Sequence, residues 1–447
     1  AAAGAAAAGA AAGVAAGAVA AGDPCGDSEA CLALVDAFLT QQPRGFSAPG
    51  GVGLVQTFGH TPPGGGGPCG PLCQLRPQCA SYKCRHDPYD NAVAAIYLSR
   101  RGKLEEARKI LDALSHYLYP QPGNLQLLRS AYTNSGAVID WNIDTGNNAW
   151  VGMAYAHFAA ASGEACYSAI SKAILDAIVT QTQCVDGLGG FMGRMPRERG
   201  SYRATEHNID MYAFARMLGE AGVQAQAAKF VSSMWQEDSQ VYATGTKGHG
   251  QCDTGMSKTA PIAADTQFWN LLAEVDPVPA RKRASAEKML RSAGEGGLLA
   301  EDQDLLGDGA RLLGVRFTSK GRGAQWENTA SAVMGVGQYN AVYANGSTIG
   351  EPATDAMRAA LLHQLAEYRA VLGSVRGGNF QAWLRGLHGA SASWPYPGGS
   401  DTGLGWTYLR YAHTAATAWT GLMLLEANPF APPAEPLPSP AAADAQC

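Results

Sequence analysis

Charged residues are scarce in this sequence, and it contains no run of basic residues. Lysine, arginine, aspartate and glutamate make up 16% of the 447 residues, and the formal charge is −5. A protein that binds nucleic acid needs a basic surface to neutralise phosphates, and an anionic membrane surface attracts lysine and arginine clusters. We therefore expect neither nucleic acid nor a membrane surface to be the main partner.

The signatures of several enzyme classes are also missing. No Gly-x-Ser-x-Gly sequence marks a nucleophile elbow. The glycine clusters at 64–67 and 187–190 do not stand between a strand and a helix, where a phosphate-binding loop would lie. The cysteines lack the tight Cys-x-x-Cys pairs of zinc sites, and the histidine spacing fits no metal motif. We expect no cofactor and no bound metal.

Both ends of the chain have unusual compositions. Residues 1–22 contain only alanine, glycine and two valines. They are either the remains of a secretory leader or a low-complexity tail, and their weak apolarity argues against a membrane span. The other end, 431–447, is rich in proline and is predicted to be extended. We therefore divide the chain into a tail (1–24), an N-terminal segment (25–85), a body (86–430) and a C-terminal tail.

The ten cysteines favour disulfides over metal binding. Four of them crowd a segment rich in glycine and proline: Cys69, Cys73, Cys79 and Cys84. Disulfides form in oxidising compartments, and the Asn345-Gly346-Ser347 sequon is typical of secreted glycoproteins. We therefore predict a secreted, extracellular protein. Its N-terminal segment is predicted to contain a helix over 26–41, capped near Asp27 or Ser28, followed by a disulfide-stapled loop over 43–85.

The most informative feature that is present is a recurrence of helix-like segments. They restart, roughly every 60 residues at first, near Tyr89, Gly146, His207, Ala264, Glu327 and His413. Each begins with a polar phrase and continues into an alanine-rich apolar stretch, and a more charged helical stretch lies between restarts. Such self-similarity marks a repeated helical hairpin. Six hairpins, with the 26–41 helix as the sixth outer partner, predict an all-α closed double ring, the (α/α)6 barrel.

Acidic residues stand at the starts of these segments: Asp144, Glu206, Asp210, Asp265 and Glu327. Because the inner helices of such a ring point the same way, carboxylates far apart in sequence would converge on one rim. Glycosidic cleavage needs paired carboxylates, since one donates a proton while the other activates water or attacks. Helix capping is the simpler explanation for Asp144 and Asp265. The dense polar phrases at 205–208 and 326–328 favour function at Glu206 and Glu327.

Tryptophans accompany the carboxylates. Flat indole rings suit the apolar faces of sugars, and their N–H groups bind hydroxyls. The residues predicted to bind substrate are Trp141, Asn148, His207, Asp210, Asp265, Trp269, Trp326 and Trp406. Trp150 and Trp419 stand within apolar runs and are predicted to be core residues.

Five phrases of the body carry a family resemblance: DTGNNAW (144–150), TEHNID (205–210), ADTQFW (264–269), QWENTA (325–330) and GLGWTYLRYAHTAATAW (403–419). They resemble phrases of the six-hairpin glycosidase superfamily, which comprises (α/α)6-barrel proteins that act on sugars. The resemblance implies a pocket at the inner-helix ends and acid/base catalysis by carboxylates. By position, Glu206 looks like the proton donor, with Asp144 or Glu327 as its catalytic partner.

Two functions stay open at this point. The first is a secreted glycoside hydrolase-like enzyme acting on poly- or oligosaccharide. The second is a non-catalytic structural or glycan-binding subunit of an extracellular assembly, built on a glycosidase-like scaffold and joined to its partner through the tails. The cysteine cluster, the low-complexity tails and Cys447 favour the second function. Both functions are kept because fold alone does not determine function.

Overall fold

The computed structural model of the protein describes residues 24–41, 44–48, 52–59, 85–195, 202–303, 310–343, 347–375 and 399–439. The predictions made for most of the N-terminal tail, for the cysteine cluster, for Asn345 and for Cys447 fall outside the described residues. In the described part, no helix is both long and apolar enough to cross a membrane.

Twelve α-helices of the described part form two concentric layers. The inner layer consists of α2 (Pro88–Arg100), α4 (Thr145–Ser162), α6 (Thr205–Met217), α8 (Ala264–Ala273), α10 (Trp326–Tyr343) and α12 (Thr414–Leu424). The outer layer consists of α1 (Ser28–Gln41), α3 (Leu104–Leu118), α5 (Ala165–Thr182), α7 (Ala221–Ser233), α9 (Pro279–Met289) and α11 (Glu351–Tyr368). Each inner helix packs against the next, and α12 packs against α2, so the ring is closed. Helix α1 packs on α11 and α12 as the sixth outer helix. The predicted (α/α)6 barrel is confirmed.

Short antiparallel strands occupy the segments that lead from an outer helix to the next inner helix. They are β1 (Arg44–Ala48), β2 (Val52–Val55), β3 (Arg85–His86), β4 (Ala131–Thr133), β5 (Val138–Asp140), β6 (Ile143–Asp144), β7 (Arg194–Met195), β8 (Trp235–Gln236), β9 (Val241–Tyr242), β10 (Leu299–Gln303), β11 (Arg311–Val315), β12 (Gly399–Asp401) and β13 (Thr407–Leu409). Strands β3, β4 and β5 form one sheet in that order, and the others pair in sequence as hairpins or ladders. The predicted loop over 43–85 therefore contains a hairpin, β1–β2.

The two layers follow from different residue patterns. Outer helix α3 buries Ala107, Ile110 and Leu114 on one face and carries glutamates in its first turn, as expected for an amphipathic helix. Inner helix α4 is buried on almost every side, and small residues let its neighbours approach. A Cβ at Gly152 would lie 2.1 Å from the Phe214 ring, so the contact between α4 and α6 requires glycine there.

The fourth residue of every inner helix ties that helix to the chain segment before it. These six residues, termed the backbone pins, are Asn91, Asn148, Asn208, Gln267, Thr329 and Thr417, and all are buried. Their partners are the backbones of Val55, Leu128, Phe191, Tyr242, Val315 and Val371, respectively.

The pin at Asn148 illustrates the geometry. Its side-chain oxygen accepts the Leu128 N–H at 2.8 Å, and its amide donates to the Leu128 carbonyl at 3.1 Å. Asn91, Asn208 and Gln267 make the same two bonds. Buried peptide groups must find a hydrogen-bond partner. One side chain per repeat supplies it to the incoming segment and thereby fixes the position of that segment along the helix axis.

Residues 428–430 close the end of the barrel that lies at the carboxyl ends of the inner helices. Asn428 donates to the Leu272 carbonyl at 2.8 Å, and Arg216 donates to the Phe430 carbonyl at 3.0 Å. The Phe430 side chain is fully buried, with its ring centroid 5.0 Å from that of Trp150. This segment is therefore part of the core, and it seals the end at which the inner helices finish.

Disulfides join Cys25 to Cys31 and Cys184 to Cys252. The first links the start of α1 to the residues before it, where Asp27 accepts the Ala30 N–H at 2.7 Å, as the predicted capping requires. The second links the segment after α5 to the segment after β9.

Candidate active site

The first turns of the inner helices meet at one end of the barrel, termed the rim. At one junction, Asp90 of α2 accepts the N–H of Ala415 of α12 at 3.1 Å. At another, a Cβ on Gly146 of α4 would lie 2.5 Å from the His207 ring and 2.8 Å from Asp210 Oδ2, both on α6. Helix starts that are more than 300 residues apart in sequence thus share one surface, as the ring geometry predicts.

Three carboxylates hold the same position in three consecutive inner helices. Glu206, Asp265 and Glu327 are the second residues of α6, α8 and α10, and together they are termed the carboxylate arc. Glu206 retains partial access to solvent, whereas Asp265 and Glu327 are only 2% and 4% exposed. Asp265 stands between the two glutamates because α8 lies between α6 and α10 in the ring.

Burial and mutual repulsion raise the pKa values of the arc. Desolvation, followed by the charges of Asp265, Asp210 and Glu327, raises the pKa of Glu206 well above its usual range. Desolvation raises the pKa of Asp265 to about 6, despite hydrogen bonds from Thr266. It also raises the pKa of Glu327 to about 7. Near neutral pH the arc therefore holds both protonated and ionised carboxyl groups, which is the condition for acid/base chemistry.

Glu327 is surrounded by hydrogen-bond donors. The Tyr89 hydroxyl donates to its Oε1, and the Gln325 amide lies 3.4 Å from Oε2. A hydrogen bond with Tyr408 also lowers its pKa. Tyr89 was not among the predicted site residues, but it is the second residue of α2. Comparing the second residue of every restart would have found it.

Asp210 and His207 lie beside the arc on α6. Trp150 Nε1 donates to Asp210 Oδ1 at 3.0 Å, and Oδ2 has no partner among the described residues. Burial raises the pKa of Asp210 well above its usual range. The His207 Nδ1 atom lies 3.1 Å from the Gly193 carbonyl, which can only accept, so Nδ1 carries a proton. Burial lowers the pKa of His207, and its ring is therefore neutral at pH 7.

Asp144 stands at the edge of the site as one half of an ion pair. It precedes α4, but its side chain makes no capping hydrogen bond, so the capping explanation is wrong for this residue. Instead it accepts from Arg194 Nε at 2.8 Å and from Ser130 Oγ at 2.5 Å. Its charge contributes to the raised pKa of Glu206.

Aromatic rings form the layer beneath the arc, termed the aromatic floor: Tyr89, Trp150, Trp269, Trp419 and Phe430. Trp269 stacks on Trp419 with 5.9 Å between centroids and 18° between planes. Trp150 and Trp419 are buried, as predicted for core residues. Trp269 is also buried, and its Nε1 has no hydrogen-bond partner in the described part of the chain.

The other residues predicted to bind substrate lie elsewhere. Asn148 is a backbone pin, and its amide is committed to Leu128. Trp326 is fully buried against Gly314 of β11. Trp141 and Trp406 are 68% and 45% exposed in the segments before α4 and α12.

Those two exposed rings are held in place. The Arg129 guanidinium lies 5.3 Å from the Trp141 ring, and the Phe317 ring centroid lies 5.0 Å from that of Trp406. In the ring order, α4 precedes the three helices of the arc and α12 follows them. The two tryptophans therefore flank the carboxylate arc.

One group in the described residues brings three metal-ligand atoms within 4.8 Å of one another: Cys184, Asp186 and Cys252. The two sulfurs are joined in a disulfide, and Asp186 pairs with the buried Arg203 at 2.9 Å. These residues are therefore already engaged with one another and with Arg203.

No protein-family model matches the sequence, and no curated protein matches it. Solved structures do share its fold. A family 76 glycoside hydrolase from a bovine Bacteroides thetaiotaomicron strain is 10% identical, with 89% of this chain and 76% of that chain covered and a TM-score of 0.52. A family 76 glycoside hydrolase (mannosidase) from B. thetaiotaomicron VPI-5482 is 9% identical, with 90% and 98% covered and a TM-score of 0.53. A D-mannose isomerase is 11% identical, with 90% and 96% covered and a TM-score of 0.52.

The chain has the fold of the six-hairpin glycosidase superfamily. The resemblance read from the phrases at the helix starts is thus confirmed at the level of the fold. Identities near 10% carry no assignment of substrate or catalytic residues, and those depend on the geometry of the rim.

Proposed function

We propose that the protein hydrolyses glycosidic bonds in an oligo- or polysaccharide, with Glu206 as the proton donor and Glu327 as the base or nucleophile. The observation that supports this most directly is the carboxylate arc. It contains carboxyl groups at equivalent positions of three consecutive inner helices, with raised pKa values. The similar glycoside hydrolases support a sugar substrate, and one of them is described as a mannosidase.

The chemistry divides between the two glutamates. Glu206 is the solvent-accessible member whose pKa is raised well above normal, which favours the protonated form that can donate a proton to the leaving-group oxygen. Glu327, with a pKa of about 7, is ionised often enough to attack the anomeric carbon or to activate water. Asp265 lies between them as a negative charge that raises the pKa of both and stabilises positive charge developing on the sugar.

The surroundings of the arc also suit a sugar. The exposed rings of Trp141 and Trp406 provide flat apolar surfaces beside the arc, which fits a chain of several sugar units.

The test is release of reducing sugar from a panel of α- and β-linked polysaccharides and oligosaccharides, mannans included. E206Q and E327Q should each lower the rate by about 10²–10⁴-fold, while circular dichroism shows the native fold. E287Q is the matched control, because Glu287 pairs with Arg283 on outer helix α9 and should leave the rate unchanged. Undiminished turnover in both rim variants would refute the proposal.

Two further outcomes would also replace it. Interconversion of mannose and its ketose without sugar release would identify an isomerase. Binding of a glycan without turnover would support the non-catalytic alternative. We also infer an extracellular location, which the Cys25–Cys31 and Cys184–Cys252 disulfides favour and which secretion of the tagged protein would test.

A further inference from the structure

We propose that Tyr89, oriented by Trp419, is a positioning residue that keeps Glu327 as a hydrogen-bond acceptor and thereby assigns it the role of base. This inference rests on the proposed function and names a residue pair that selects one member of the arc.

The direction of the hydrogen bonds is fixed by chemistry. An indole N–H can only donate, and Trp419 Nε1 lies 3.0 Å from the Tyr89 hydroxyl oxygen. That oxygen therefore accepts from Trp419, and its single proton points elsewhere. The atom that receives it is Glu327 Oε1. A lone pair, rather than a proton, must therefore face Tyr89 at this oxygen.

The packing of the Tyr89 ring fixes the position of its hydroxyl. The ring is nearly parallel to Trp269, with planes 27° apart and centroids 6.4 Å apart. It meets Trp150 edge-on at 5.4 Å. Inner helices α4 and α8 thus hold the Tyr89 ring from the sides, and the hydroxyl cannot follow a different acceptor without repacking the aromatic floor.

The groups that face Glu327 act in opposite directions. Hydrogen bonds from Tyr89 on α2, from Gln325 before α10 and from Tyr408 on β13 favour the ionised form. Burial and the charge of Asp265 on α8 favour the protonated form. The charge of Glu327 in turn raises the pKa of Asp90 of α2 and of Glu206 of α6. Without the Tyr89 hydroxyl, burial and the charge of Asp265 are less opposed, and the pKa of Glu327 rises.

The experiment compares Y89F with the wild type by NMR of protein labelled with 13C at the glutamate carboxyl carbon, with E327Q identifying the resonance. The pKa of Glu327 should rise by about one pH unit in Y89F. The acidic limb of the kcat/KM profile, which reports ionisation of the base, should shift to higher pH by the same amount. The rate should therefore fall about 10-fold at pH 6 and recover at high pH.

Y155F is the matched control. Tyr155 is also a buried tyrosine, but its hydroxyl binds the Leu111 carbonyl at 2.7 Å and Ser115 at 2.8 Å. The same atom is removed from an inner helix without touching the arc, so neither the titration nor the profile should move.

An unchanged Glu327 titration in Y89F would overturn the inference whether or not the protein is active. Because the titration needs no substrate, failure of the hydrolase proposal is detected separately, by absence of sugar release from the wild type. Should Y89F not fold, W419F tests the same pair. It leaves the Tyr89 hydroxyl free to rotate, and the pKa of Glu327 should again rise, by less than in Y89F. No rise would count against the orienting role of Trp419.

Discussion

Burial of Glu327 makes the folded protein less stable as the pH rises. The pKa of this carboxyl group is about 7 in the folded protein, against 4.5 for an ordinary glutamate. Below pH 4.5 the group is neutral in both the folded and the unfolded chain. Between pH 4.5 and 7 it ionises mainly in the unfolded chain, which favours unfolding. Above pH 7 the penalty is complete and constant.

The substitution E327Q isolates this effect. Glutamine removes the charge but retains an oxygen that accepts the Tyr89 hydroxyl proton. At about 1.4 kcal/mol per pH unit, the rise in pKa from 4.5 to about 7 corresponds to about 3 kcal/mol. We expect E327Q and the wild type to have free energies of unfolding within about 0.5 kcal/mol at pH 4.5. At pH 8 the variant should be more stable by about 3 kcal/mol.

Urea unfolding at pH 4.5, 6 and 8 measures this directly, with E287Q as the surface control. The difference between E327Q and the wild type should grow between pH 4.5 and 7 and then level off. A difference that is the same at every pH would refute the reasoning, because a change in packing alone does not depend on protonation. The same variant should be inactive, so stability and activity would move in opposite directions.

Two further predictions concern the scaffold. N148A should lower the free energy of unfolding by about 2–5 kcal/mol, since it leaves the buried N–H and C=O of Leu128 without partners. N147A, on the same turn, should have a much smaller effect in urea unfolding, and equal effects would contradict the role of the pin. F430A should lower the free energy of unfolding by about 3–5 kcal/mol. It should also shift the tryptophan fluorescence to longer wavelength, because it opens the aromatic floor beneath Trp150. An unshifted spectrum would show that residues 428–430 do not seal the end at which the inner helices finish.

The ring could be predicted from the sequence because each repeat carries its own periodic signal. Alanine-rich inner segments and charged outer segments alternate, and the closure by α1 follows from counting outer partners. The β1–β2 hairpin could not be predicted, because its surroundings are rich in glycine and proline. A contact that is distant in sequence stabilises it, since Asn91 binds the backbone of Val55, 36 residues away.

The site was harder to predict than the fold. Carboxylates at helix starts could be found from the repeat, but Asn148 and Trp326 look like binding residues in sequence and are buried in the structure. Tyr89 holds the helix-start position that carries a carboxylate in three other repeats, so a search for acidic residues passes over it. Its partners, Glu327 and Trp419, are 238 and 330 residues away, and only the closed ring brings them together.

Because the backbone pins bind peptide groups of the incoming segments, they place no requirement on the polar side chains of those segments. The six pinned residues are buried in the core, but the rim loops that flank them can change as long as the pinned peptide group keeps its position. The architecture thus separates the residues that hold the barrel together from the loops that line the rim. We expect this separation to let proteins with about one residue in ten in common keep one barrel while their rim loops differ.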